Sequence, residues 1–187
     1  MLEKKVIGLL VIMLAIGYLA GSIGSYGEAS GQVEVTASLR RAKLQVLGIY
    51  FSPNGGCEDQ ILNWINNANA SIHILIYSFT LDLVSDALIS AHQRGIEVEV
   101  VFEKQQITEY SEYQKLRAAG VPVRNDTNPD LMHDKIMIVD GIIVLTGSFN
   151  YSVAAEEENN ENLIVIKSTD VATTYEQEFQ KIWNQSV

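Results

Sequence analysis

Residues 133–150 read HDKIMIVDGIIVLTGSFN. The stretch holds an imidazole at His133, an ammonium at Lys135, a hydroxyl at Ser148 and a carboxamide at Asn150. Together these suit a phosphate ester. The imidazole is a nucleophile or proton carrier, Lys135 is a fixed positive charge, and the two neutral groups can hydrogen-bond non-bridging oxygens. Such chemistry needs the four side chains to converge. Lys135–Val139 is an apolar, β-branched strand, Asp140-Gly141 is a strong signal for a two-residue type I′ hairpin turn, and Ile142–Thr146 is the returning strand. Alternate side chains of a strand share a face, so His133 and Lys135 project together. The second strand brings Ser148 and Asn150 back to the same end. Asp140 is expected to serve the turn rather than the reaction.

These residues also carry a family resemblance. His133-x-Lys135, four residues, Asp140, six residues and then Gly147-Ser148-x-Asn150 resembles the HKD signature of the phospholipase D superfamily. Within that superfamily the chain is most similar to the small, single-motif bacterial endonucleases. The likeness runs from Phe51-Ser52-Pro53 through Tyr77-Ser78-Phe79-Thr80 to Asn160-Glu161-Asn162 and Trp183-Asn184.

The residue types set out a mechanism. Neutral imidazole can attack phosphorus, forming a phosphohistidine and splitting one displacement into two. A second histidine must then protonate the leaving oxygen and later deprotonate water. His73 lies in an apolar strand and His92 near a helix end. Neither has a basic or hydroxyl partner at the motif spacing, and both read as structural. The chain therefore supplies one such histidine, and a two-fold homodimer is the simplest way to bring two together. The resemblance implies the same arrangement for a single-motif nuclease. Glu161 is the expected orienter of His133, because a carboxylate accepting from one ring nitrogen fixes the tautomer. The resemblance supports that role. The neighbouring run Glu156–Asn160 reads as a solvated loop. Consecutive carboxylates do not point at one centre, and no His or Cys accompanies them, so no metal or other cofactor is expected.

Charge narrows the partners. A net charge of −10 argues against broad electrostatic capture of nucleic acid. Lys104 and Arg124, with Lys135, could line a local basic path to the site. The expectation is weak, strongly salt-dependent nucleic-acid binding, or a smaller substrate. The leading reading is a metal-independent, low-specificity endonuclease acting on DNA or RNA as a homodimer. The alternatives are hydrolysis of a phospholipid head group and, from another class, a non-catalytic dimeric nucleic-acid-binding module.

The remaining elements must position this hairpin. Lys4 and Lys5 precede Val6–Ile23, which has no charged residue. As a helix that segment spans ~27 Å, close to a bilayer core of ~30 Å. It fits a membrane anchor with the domain outside the cytoplasm. It also fits a signal peptide cleaved near Ala20-Gly21-Ser22, which would leave a secreted or periplasmic domain. Residues 1–23 are thus an anchor or signal, 24–43 a linker, and 44–187 the catalytic domain. In that domain strands are expected over Gln45–Phe51, Ser71–Tyr77, Glu97–Phe102, Val121–Arg124 and Asn162–Lys167, besides the hairpin. Helices are expected over Glu58–Asn67, Asp82–Arg94 with Thr80 as N-cap, Thr108–Ala119, and from the cap Ser168 through Trp183. The alternation implies an α/β fold: a mixed, mostly buried sheet flanked by helices, as in a phospholipase D-like sandwich. The single Cys57 excludes an internal disulfide and reads as a small residue at a helix start.

Overall fold

A computed structural model describes residues 44–187. The apolar segment 6–23 and the linker 24–43 lie outside the described residues. Seven strands form one sheet: β1 (Gln45–Ser52), β2 (Ser71–Ile76), β3 (Glu97–Phe102), β4 (Val123–Asn125), β5 (Lys135–Val139), β6 (Ile143–Gly147) and β7 (Glu161–Lys167). Their spatial order is β1-β7-β6-β5-β2-β3-β4. Strands β2, β3 and β4 run parallel, and β5, β6, β7 and β1 follow as antiparallel neighbours. The helices are α1 (Cys57–Asn66), α2 (Asp82–Gln93), α3 (Tyr113–Ala118), α4 (Val153–Glu157) and α5 (Thr169–Gln185).

The sheet is apolar on both faces because helices cover both. One face presents Ile72, Ile74, Val98, Val100, Met137 and Leu145 to Ile61 and Ile65 of α1 and Val84 and Leu88 of α2. The other presents Leu75, Val101, Ile136, Ile138 and Val144 to Ala172, Phe179 and Trp183 of α5. That two-sided burial explains the near-continuous apolar runs in β2 and β5. Each fully buried Ile or Leu stabilises the sandwich by roughly 1.5–3 kcal/mol.

Several expected boundaries move, each for a local reason. Thr80 does not cap α2; the N-cap is Leu81, without a side-chain bond. The Thr80 N–H instead donates to the Tyr151 carbonyl at 2.7 Å. The helix expected from Thr108 begins only at Tyr113. Its would-be first turn is drawn away, because the Glu112 N–H donates to Phe79 O and the Glu112 carboxylate accepts from buried Ser85 Oγ at 2.6 Å. The acidic run is partly helical rather than a loop: Ser152 caps α4 by accepting from the Ala155 N–H. Cys57 is the first residue of α1 and fully buried.

Candidate active site

The hairpin forms with one irregularity. Asp140 and Gly141 both take left-handed φ, 54° and 62°, as a type I′ turn requires. The Ile142 N–H closes the turn on Val139 O at 3.1 Å. Pairing then resumes one residue late, with Val139 opposite Ile143, so Ile142 is an extra residue and the turn is not a simple two-residue loop. Asp140 serves this architecture. Its carboxylate accepts the N–H groups of Asn69, Ala70 and Ser71 at 3.1, 2.7 and 3.1 Å, tying the turn to the start of β2. Burial alone would raise the Asp140 pKa, but those backbone donors hold it below the ordinary value.

The opposite end of the hairpin holds the candidate site. Lys135 pairs with Ile76 and Ile136 with Thr146, so the start of β5, the end of β6 and the end of β2 share one edge. After β2 the chain departs to β3 on one side, and β5 lies on the other. This is the kind of switch point at which open α/β sheets bind ligands. Gly147 is required there, since a Cβ on it would collide with the Asn162 carbonyl. The Ser148 N–H donates to that same carbonyl at 3.1 Å.

Each polar group is held with bonding capacity to spare. Ser148 Oγ accepts from the Asn162 N–H at 3.1 Å and from Asn162 Nδ2 at 3.3 Å, which leaves its O–H to donate. Asn150 Oδ1 accepts from the Ser78 N–H at 3.3 Å, which points its amide nitrogen to the donor role. Lys135 is buried, and its Nζ donates to His133 O at 2.7 Å. Burial lowers the Lys135 pKa below the ordinary 10.5, against the opposing charges of Asp134 and Glu161. Asp134 is raised by burial and by Glu178, while Lys135 and His133 pull it down. These groups can grip one phosphate: an ammonium, a hydroxyl and an amide as donors, and the His133 imidazole beside them.

Sequence reasoning missed Tyr77 as a site residue. Its ring lies 4.4 Å from the His133 ring, tilted by 58°. Lys135 Nζ stands 4.7 Å over the same ring. Tyr77 directly follows β2 next to the motif strand, and only the pairing of β2 with β5 reveals the contact.

Other expected residues are placed differently. Among the described residues no hydrogen bond joins Glu161 to His133; the side-chain bond Glu161 makes is from Asn159 Nδ2 at 3.4 Å. Arg124 is committed elsewhere, stacking 4.1 Å over Trp183 and donating to the Trp183 carbonyl at 2.6 Å. It braces α5 rather than lining a path for phosphates. Lys104 Nζ donates to the Asn128 carbonyl, which ties it to the loop ahead of His133. His73 is structural, hydrogen-bonded to Glu176 and stacked on Phe179. Among the described residues no group of three or more His, Cys, Asp or Glu side chains could hold a metal ion.

A cleft of about 680 Å³ opens beside His133, with Asp126, Asn128, Asp134, Glu178 and Lys181 in its wall. Three carboxylates against one ammonium make it acidic.

Comparison with known proteins agrees with this geometry. Residues 61–183 match the family described as cardiolipin synthase, PLD-like domain. A phospholipase D of Rickettsia typhi is 35% identical over 126 residues, covering 67% of this chain and 62% of its own length. A mitochondrial cardiolipin hydrolase of Chlamydomonas reinhardtii is 31% identical over 144 residues, covering 70% of this chain and 65% of its own length. The chain thus spans less than two thirds of these relatives. The crystal structure of Nuc from Salmonella typhimurium, a phospholipase D family member, superimposes with a TM-score of 0.73 at 34% identity. That match covers 78% of this chain and 97% of Nuc. NucT from Helicobacter pylori shares the fold, with a TM-score of 0.71 at 24% identity. A matched domain that includes the hairpin, the shared fold and the single HKD constellation at the sheet edge lead to one assignment: the chain belongs to the phospholipase D superfamily.

Proposed function

We propose that the protein is a metal-independent phosphodiesterase that hydrolyses nucleic-acid phosphodiester bonds through a phosphohistidine, at a site completed by a second copy of the chain. The observation that carries this reading is the set His133, Lys135, Ser148 and Asn150 at one sheet edge, with a single imidazole among them. A ring nitrogen of His133 attacks phosphorus, and the bond to the leaving oxygen breaks. His133 of the second copy gives that oxygen its proton. The same imidazole then takes a proton from water, whose oxygen displaces His133 from phosphorus. Lys135, Ser148 and Asn150 hold the non-bridging oxygens throughout. Glu161, which makes no bond to His133 within its own chain, is assigned to orient His133 of the second copy.

An exposed apolar strip supports the dimer. Ile49 and Phe51 are 57% and 62% exposed. They stand opposite Ile164 and Asn162 on the sheet face that α5 leaves open. The strip ends at Asn162, the residue that holds Ser148, so a copy docked on it would meet the catalytic edge. The apolar segment 6–23 would keep this domain outside the cytoplasm.

Nucleic acid is favoured by the likeness to single-motif bacterial endonucleases and by the near-complete overlap with Nuc. The acidic cleft beside His133 favours a second reading, a phospholipid that presents one phosphate rather than a polyanionic strand. The full-length protein in excess chelator, assayed on labelled single-stranded DNA, duplex DNA and phospholipid vesicles, separates the two. DNA cleavage that falls steeply with salt supports the nuclease. Release of head group without DNA cleavage replaces it with the phospholipid reading.

A further inference from the structure

We propose that Glu103 is a positioning residue for His133, acting within the phosphodiesterase site described above. Glu103 directly follows β3 and is fully buried. Its carboxylate is met by two backbone donors. One oxygen accepts the Gln105 N–H at 3.0 Å and the other the Met132 N–H at 2.7 Å. Met132 is the residue before His133. Burying a carboxylate is costly, and a single loop amide could be held by a neutral acceptor. Two divergent amides need two acceptor oxygens, which a carboxylate supplies and a carboxamide does not.

The oxygen that faces Gln105 opens another route to the site. By accepting from Gln105 it caps the 3₁₀ turn Lys104–Gln106. Gln106 Nε2 then donates to Tyr77 Oη at 3.1 Å. The Tyr77 ring packs on both His133 and Lys135. The same turn grips the loop ahead of His133 through Lys104 Nζ on Asn128 O, and the Asp126 N–H donates to Phe102 O at 2.9 Å. Glu103 therefore fixes the nucleophile from the chain side, through Met132, and from the ring side, through Gln106 and Tyr77.

The test compares Glu103→Gln, Gln106→Leu and His133→Asn with wild type in the full chain. Rates are read on a simple nitrophenyl phosphodiester, and the histidine rings by NMR, with the His133 signal assigned by its loss in His133→Asn. Glu103→Gln is expected to lower kcat about 10- to 100-fold with little change in KM, the signature of a displaced reacting group. Its His133 ring resonance should shift or broaden while those of His73 and His92 stay in place. Gln106→Leu, on the rim, should move the same resonance with a smaller loss of kcat, and it carries the test if Glu103→Gln does not fold. An unmoved His133 resonance in the variants that fold overturns the proposal, whatever the rates. Full activity in His133→Asn overturns the phosphodiesterase mechanism instead and leaves the resonance test of positioning standing.

Discussion

At the scale of single residues, the motif carboxylate Asp140 serves the hairpin turn. Asp140 sits at the far end of the hairpin from His133 and accepts three backbone N–H groups. Asp140→Ala leaves those donors without their charged acceptor, and the expected loss is about 2–3 kcal/mol of stability. For a domain of this size that lowers Tm by about 5–10 °C. Thermal unfolding followed by circular dichroism checks the loss. At a temperature where the variant is folded, kcat should stay near wild type; a deep loss of kcat there would give Asp140 a part in the reaction. Because the Asp140 pKa is depressed, its contribution is present above the ordinary value of 3.8 and lost as pH falls through the folded value.

At the scale of elements, α5 is docked through a partly buried histidine–carboxylate contact. His73 of β2 meets Glu176 at 2.8 Å and Glu99 at 3.9 Å, beneath the ring of Phe179. Burial would lower the His73 pKa, but the hydrogen bond and charge of Glu176, with Glu99 and Glu97 on β3, raise it above 6.5. Arg124 of β4 also faces this cluster through Glu99. A raised histidine contributes stability that is complete below 6.5 and lost as pH rises through the folded value. Tm should therefore fall as pH increases above about 6.5. Glu176→Gln should flatten that slope, and calorimetry across this range checks it. An equal slope in both proteins would remove His73 from the account. The elements themselves were largely legible in the sequence. Apolar runs marked β2, β3 and β5, and the polar ends of α1 and α2 marked their limits. The late start of α3 was not legible, because Glu112 meets Phe79 and Ser85 through contacts distant in sequence; α4 was hidden by the acidic run that follows its local Ser152 cap. The HKD residues were legible because their spacing is local. Tyr77, Glu103 and the bracing role of Arg124 were hidden because each acts on a residue that only the fold brings near.

At the scale of the whole molecule, the proposed reaction needs two histidines, and one protomer offers one at the motif. The apolar strip at Ile49 and Phe51 is the surface assigned to the second copy. Phe51→Glu places a charge on that strip, and its own chain does not bury the position. The variant should sediment as a monomer, keep its secondary structure and lose at least ~100-fold in kcat/KM. A wild-type protein that is monomeric under active conditions would sink the shared site.

The proposed reaction turns on covalent catalysis by His133. The most direct measurement is to quench full-length protein during turnover of a phosphorus-labelled substrate in excess EDTA, and to look for acid-labile, base-stable label on the chain. Label is expected on His133 in wild type and none in His133→Asn, with kcat reduced at least ~1,000-fold in the variant. Turnover in EDTA that leaves no label on wild type and persists in His133→Asn would contradict it.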